Sequence, residues 1–301
     1  MSTEGLRNKT FLVAGSGISV LWDCISITGP GITLLMLLTA FSGMWIASKG
    51  MINPSTAFWT LTGLALCCSG SSIINNCFDA DIDAVMERTK NRALASGRIC
   101  IRSSLIMAVS FVFLSLFVLS IFVNKLSAIL SATGFFVYSF IYTGILKRKT
   151  PHATEIGGIA GALPPLIGWA AVKKTVDPQA FILFLIILLW QPPHFWSLAG
   201  LYRDDYIRAA VPAMPVISEK RTLRLMLIYL IFLSIASITP YFLKLMGSTY
   251  LGIAVLLNVV YFGIYIWRML AGRKIDRILF RYSIVYLSLL FLFMIIDFQV
   301  L

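Results

Sequence analysis

Hydrophobic positions in this chain form long runs separated by short polar connectors, with no sustained two-residue alternation. Nine runs are long enough for a membrane helix, at about 30–47, 56–76, 105–123, 127–146, 156–172, 180–201, 224–243, 250–268 and 278–298, since a span needs roughly 17 to 25 apolar residues. The pattern predicts an all-α, polytopic membrane helical bundle. Residues 1–29 read as an N-terminal cytoplasmic segment, and Ser26-Ile27-Thr28-Gly29-Pro30-Gly31 carries it into the first span, with Pro30 acceptable in a first helical turn. The remainder, 30–301, reads as one transmembrane domain, because nothing outside the runs is long enough for a soluble domain and no 20–50-residue period repeats.

Two runs contain proline pairs. Span five reads Gly157-Gly158-Ile159-Ala160-Gly161-Ala162-Leu163-Pro164-Pro165, and span six reads Trp190-Gln191-Pro192-Pro193-His194-Phe195-Trp196. Small residues let helices approach closely. Each proline pair predicts a break whose freed carbonyls need other partners.

Composition agrees with the pattern: 58% of residues are hydrophobic and 13% charged, with a mean hydropathy of +0.87. The net charge of +12 would suit a nucleic-acid partner, but its distribution points to topology instead. With nine spans, one side receives Arg7, Lys9, Arg88, Lys90, Arg92, Arg98, Arg102, Lys147, Arg148, Lys149, Arg203, Arg208, Lys220, Arg221, Arg224, Arg268, Arg273, Lys274, Arg277 and Arg281. The other receives only Lys49, Lys125, Lys173, Lys174 and Lys244. The basic side faces the cytoplasm, which places the N-terminus inside and the C-terminus outside. Cys24, Cys67, Cys68, Cys77 and Cys100 show no metal-ligand spacing and read as packing residues. The first 20 residues lack the pattern of a cleaved leader. The expected location is a bacterial inner (plasma) membrane, with the mitochondrial inner membrane as the alternative.

The polar residues that do occur gather on the basic side. Asn75-Asn76-Cys77-Phe78-Asp79-Ala80-Asp81-Ile82-Asp83 closes span two, and Asn75, Asp79 and Asp83 fall at i, i+4 and i+8, on one helical stripe. A solvated turn followed by topological cations would also give this pattern, but carboxylates at a membrane boundary are costly. Tyr138-Ser139-Phe140-Ile141-Tyr142 and Lys147-Arg148-Lys149 end span four on the same side. Tyr202-Arg203-Asp204-Asp205-Tyr206 ends span six there, and His194 lies eleven residues before Asp205, near the same face if the helix is continuous. Asp276 and Asp297 read as ordinary interfacial residues. Hard oxygens beside cations suit Mg²⁺ and a phosphate, and an apolar bundle behind them suits an isoprenoid tail: an allylic diphosphate substrate.

The motif Asn75-x₃-Asp79-x₃-Asp83 with Glu87-Arg88-Thr89-Lys90-Asn91-Arg92 resembles the first Asp-rich motif of the UbiA superfamily of intramembrane prenyltransferases. Asn75-Asn76, Gly157 to Gly168, Trp190-Gln191-Pro192-Pro193-His194-Phe195, and Asp205-Tyr206 with Pro212-Ala213-Met214-Pro215-Val216 resemble its protohaem IX farnesyltransferase branch over about residues 26 to 298. The resemblance implies a nine-helix bundle that transfers farnesyl from farnesyl diphosphate to a vinyl group of haem B, with water addition, giving haem O for haem-copper terminal oxidases. Haem A synthase and terminal oxidase assembly are the implied partners, beside the lipid bilayer; nucleic acid is not one. By motif position it implies Asn75, Asp79, Asp83, Asp204 and Asp205 as catalytic residues, with Mg²⁺ held by Asn75, Asp79, Asp83 and Asp205. Asn76, Arg88, Lys90, Arg92, Tyr142, Lys147, Arg148, His194, Tyr202 and Arg203 are the substrate-binding candidates, His194 for haem. Three positions depart from the family pattern: Gly29 replaces a usual Lys, Ala80 a usual Arg, and Glu155 a usual aliphatic residue. Transfer to an aromatic quinone precursor is the alternative within the superfamily. A transporter with a site at Pro-broken helices five and six, or a haem chaperone, is the alternative outside it.

Overall fold

The computed structural model describes residues 17–272, 275 and 277–298. Among these residues, nine helical stretches are long and apolar enough to cross a membrane. They are α2 (Pro30–Ala47), α3 (Pro54–Phe78), α5 (Ile101–Phe122), α6 (Lys125–Phe136) with a π continuation, the pair α7 (Ala153–Ala162) and α8 (Pro164–Lys173), α9 (Pro178–Leu201), α12 (Glu219–Phe242), α13 (Ser248–Leu270) and α14 (Arg277–Ile296). Four shorter helices, α1 (Gly17–Ile27), α4 (Ala80–Val85), α10 (Arg203–Arg208) and α11 (Met214–Ile217), lie outside the spans, and α1 among them is apolar. Several helices begin ahead of their apolar run because caps, rather than hydropathy, set helix starts. The Asn53 side chain accepts from Ser55 N at 2.9 Å, Asn124 from Ser127 N at 2.9 Å, and Ser218 from Arg221 N at 3.3 Å.

Helix packing follows the small residues. A Cβ on Gly168 would lie 2.0 Å from Ala40 O, and one on Gly43 would lie 2.3 Å from Pro165 O, so α2 and α8 meet backbone to backbone. The α3–α5 contact uses Gly63 under Leu119 and Gly70 under Val112, and Ser115 Oγ donates to Gly63 O at 2.6 Å. Buried polar groups in the C-terminal helices satisfy one another: Tyr286 OH donates to Asn258 Oδ1 at 2.9 Å and Asn258 Nδ2 to Ser237 Oγ at 2.9 Å. Trp196, Tyr250, Tyr286 and Phe291 are fully buried in this core.

The two proline pairs behave differently. Span five breaks as predicted: α7 stops at Ala162, and Pro164 and Pro165 open α8, where a missing N–H costs nothing. Span six does not break. α9 runs through Pro192 and Pro193 to Leu201, which removes the premise of two broken helices. Two other expectations also change. α9 ends at Leu201, with Tyr202 at φ −113°, ψ 35°, so His194 and Asp205 do not share one helix face. Asp297 is a cap rather than a solvated end, because its Oδ2 accepts from Tyr250 N, in the first turn of α13, at 2.6 Å. The 1–29 segment contains α1, tied to the connector after α4 by Asp23 and Arg98 at 2.8 and 2.9 Å. Arg7, Lys9, Arg273, Lys274 and Asp276 lie outside the described residues.

Span four carries the largest departure from regular helix. From Val137 to Leu146 it is a π-helix, continued by Lys147 N donating to Tyr142 O at 2.9 Å, five residues back. π segments are rare and concentrate at functional sites.

Candidate active site

The Asn/Asp stripe survives a break in the helix. α3 ends at Phe78 and α4 begins at Ala80, but Asp79 N donates to Asn75 O at 2.9 Å and Asp83 N to Asp79 O at 2.7 Å. The i, i+4 register therefore holds across Asp79. Asn75 Nδ2 donates to Asp79 Oδ2 at 2.8 Å, and Asn75 Oδ1 accepts from Thr143 Oγ1 of the π segment at 3.0 Å. One π turn along, the Lys147 ammonium donates to the same Asp79 Oδ2. Asp79 is 1% exposed, and its other oxygen, Oδ1, is buried with no hydrogen-bond partner. Burial alone would pull the Lys147 ammonium down, but the Asp79 carboxylate outweighs it and raises the lysine above its ordinary value.

Asp83, also buried, accepts from Arg92 Nη1 at 2.8 Å, and Arg92 also reaches Asn76 Oδ1 at 3.5 Å. Arg148 grips Asp81 through two bonds of 2.7 and 2.8 Å and Phe78 O through one of 2.6 Å, and this holds the Asp81 carboxyl below the usual carboxylate range. Asp205, on α10, accepts from the backbone N–H groups of Glu87 and Arg88, each at 3.1 Å, and pairs with Arg208. It thus pins the loop after α4 to the end of α9. Tyr202 sits under the Arg88 guanidinium, 5.2 Å from its ring centroid.

The two acidic motifs are brought to one end of the bundle, but not all predicted residues serve the same centre. Asp204 is exposed, while its neighbour Asp205 is 5% exposed and bonded. Lys90 is exposed and pairs with Glu87 at 2.6 Å. Arg203 donates to Pro215 O at 3.3 Å and Val216 O at 3.4 Å, bracing α11. His194 faces α14: Nδ1 lies 2.7 Å from Ser283 Oγ, and the ring stacks between Trp190 and Phe280 at 4.4 and 5.0 Å. Among the described residues no three His, Cys, Asp or Glu side chains converge as a self-sufficient metal site.

Beside these groups lies an open-mouthed cavity of about 170 Å³, walled by α2, α3, α6, the π segment, α7, α8 and α9. Ser72, Tyr138, Tyr142 and Thr154 line it together with apolar groups such as Met36, Leu64, Phe135 and Ile167. Tyr138 and Tyr142 stack at 5.6 Å. Gly157 leaves room for Tyr142, since a Cβ there would lie 2.4 Å from its ring. Gly29, at φ +65° with Ser72 Oγ 2.6 Å from a would-be Cβ, also lines the cavity, which explains locally why no lysine stands there. Tyr138, Thr143 and Gln191 were not singled out as site residues by sequence. Their only signal was proximity to Tyr142 and to the second proline pair. Glu155 is bonded to His152 Nδ1 at 2.9 Å, on α7.

The donor set fits a hard divalent cation. It offers carboxylate and amide oxygens, one carboxylate oxygen in it is buried and unpartnered, and ammonium and guanidinium groups stand beside it for a polyanion. A profile of the UbiA prenyltransferase family matches residues 36–293. A protein named protoheme IX farnesyltransferase from Aquifex aeolicus is 40% identical over 287 residues, covering 94% of this chain and 97% of that protein. Another of the same name, from Trichodesmium erythraeum, is 41% identical over 276 residues, covering 90% of this chain and 84% of its own. Among solved structures, a digeranylgeranylglyceryl phosphate synthase superposes with a TM-score of 0.77 at 19% identity, covering 93% of this chain and 98% of its own. A UbiA homologue from Archaeoglobus fulgidus bound to GPP and Mg²⁺ gives 0.71 at 17% identity, covering 90% and 98%.

Proposed function

This chain belongs to the UbiA prenyltransferase family, and from that premise we propose that it transfers a farnesyl group from farnesyl diphosphate to a vinyl group of haem B, with addition of water, to give haem O. One observation carries the diphosphate half of this reading: the Asp79 carboxylate, buried between Asn75 and Lys147 with one oxygen unpartnered, lies about two turns beyond Ser71 and Ser72 of α3, which line an apolar cavity. Relatives 40% identical over nearly the whole length and named for protohaem IX support the acceptor half.

Asp79, Asn75 and Asp83 would hold Mg²⁺, joined by Asp205, whose Oδ2 keeps a lone pair beyond its bond from Arg88 N. When bound, the metal neutralises charge on the departing diphosphate. The protein's own residues do the rest. Lys147, Arg88, Arg92 and Arg148 surround the same groups and hold the diphosphate oxygens by charge-assisted hydrogen bonds that strengthen as charge moves onto the leaving group. The farnesyl tail lies along Met36, Leu64 and Ile167. The stacked faces of Tyr138 and Tyr142 border the place where the allylic cation develops, and the apolar wall delays its capture by water. His194 serves the haem from the α9–α14 side. The chain sits in a bacterial inner membrane with this end toward the cytoplasm, and its product supplies terminal oxidases directly or through haem A synthase.

The test is expression in membranes that lack haem O synthesis, followed by extraction of haems and mass analysis. A new farnesylated haem that disappears with Asp79→Ala is the expected result. Haem B alone, from folded protein that binds farnesyl diphosphate, moves the acceptor to a quinone precursor. His194→Ala is expected to lose haem transfer and retain diphosphate binding; unchanged haem turnover leaves that side chain with a packing role between α9 and α14.

A further inference from the structure

Gln191 is 5% exposed, in the middle of a membrane span, and lines the cavity. Its orientation is fixed by chemistry: the group 2.7 Å from Gly158 O and 3.4 Å from Ile187 O must be the amide nitrogen, because two carbonyl oxygens cannot share a proton that neither has. Both contacts therefore belong to Nε2, and the carbonyl oxygen Oε1 accepts no hydrogen bond from the described residues. Gly161 makes the space for it, since a Cβ there would lie 2.4 Å from Oε1. The result is a rigid, outward-facing acceptor in a wall that is otherwise largely apolar. An amide oxygen that faces an open cavity without a protein donor is a fixed acceptor for whatever fills that space, a water or a ligand that donates a hydrogen bond.

The geometry points to Gln191 as the residue that positions the water added to the acceptor. This inference rests on the haem-farnesylation reading. The π electrons of the vinyl group form the new carbon–carbon bond to C1 of the farnesyl group as the bond from C1 to the diphosphate oxygen breaks, which leaves a cation on the vinyl carbon next to the porphyrin. A water donating one hydrogen bond to Gln191 Oε1 turns its lone pair to that carbon and forms the carbon–oxygen bond. The surplus proton passes to the released diphosphate, which is a base. Such a water needs further polar partners, and the hydroxyls of Thr154 and Tyr142 line the same cavity. Without it, the cation loses a proton from carbon and gives an alkene lighter by one water.

The test compares wild type with Gln191→Leu in membranes, reading the ratio of dehydrated to hydroxylated farnesyl haem by mass. Removing one hydrogen bond of ordinary strength is expected to raise that ratio about tenfold, with farnesyl diphosphate binding unchanged. Gly161→Ala, which keeps the amide but crowds its oxygen, is expected to shift the ratio the same way. A wild-type product ratio from folded, diphosphate-binding Gln191→Leu overturns the inference, as does loss of both products, which would place the side chain before the water step. If wild type itself yields only haem B, the haem-farnesylation reading fails instead, and the inference falls with it.

Discussion

At the scale of single residues, the site is a balance of buried charge. Asp79 and Lys147 are each costly to bury alone, and each stabilises the other. Lys147→Ala leaves Asp79 without its counter-charge and the diphosphate without a donor, so turnover is expected to fall about 10²–10³-fold, the usual effect of losing one preorganised donor. Lys147→Arg, whose planar fork cannot reproduce a point charge, is expected to restore only part of it. Single-turnover prenyl transfer with the purified protein measures both. The Asn75, Asp79 and Asp83 candidates were readable from the sequence because helical spacing alone puts them on one stripe. Thr143 was not, because its role depends on where the π segment lies against α3. Asp204 and Asp205 could not be told apart in sequence. Burial and two backbone N–H donors distinguish Asp205.

Helices carry the second group of outcomes. In an α-helix, residues five apart lie on different faces; the π segment from Val137 to Leu146 supplies Tyr138 and Tyr142 to the cavity, Thr143 to Asn75 and, at its end, Lys147 to Asp79. Deleting Ile145, which is exposed and lines no part of the cavity, is expected to let span four return to α geometry and rotate Lys147 away. The protein should then insert and fold but lose prenyl transfer, read as retained thermal unfolding with no product. Where α2 meets α8, Gly168→Ala forces a methyl against backbone rather than a flexible side chain. A destabilisation of about 1–3 kcal/mol is expected, visible as a lower Tm in detergent. α1 is held by Asp23 and Arg98, and the guanidinium keeps the Asp23 carboxyl below the usual carboxylate range. A carboxyl depressed in the folded state contributes its stability above its unfolded pKa and loses it as pH falls through the folded value. The tether is therefore expected to be intact at neutral pH and released only in strong acid. Asp23→Asn should mimic that release at pH 7, seen as faster proteolysis around α1.

For the whole molecule, the charge bias predicts a side for every connector. Cys100 is exposed in the connector between α4 and α5, and hydrogen bonding from the Ser103 backbone pulls its thiol below the ordinary value, which favours its reaction with a thiol reagent. A membrane-impermeant maleimide is expected to label Cys100 in inverted vesicles and not in right-side-out ones; the reverse would invert the topology. The same end collects Asp79, Asp83, Asp205 and their cations, which makes it the polar end of the bundle.

By itself the sequence determined the class of the protein, the number of spans, the end at which chemistry gathers and the family motif. Each of these depends on local quantities: run length against bilayer thickness, charge per connector, and residue spacing along a helix. Tertiary structure decided which helix breaks. Pro164-Pro165 start a new helix and Pro192-Pro193 do not, because that outcome depends on what packs against each. It also decided that Asp205 fastens a loop, that His194 turns to α14, that Gly29 takes a left-handed conformation close against Ser72, and that Gln191 fixes an oxygen over the cavity. Those facts depend on distances between residues far apart in the chain, and such distances follow from how whole helices pack together.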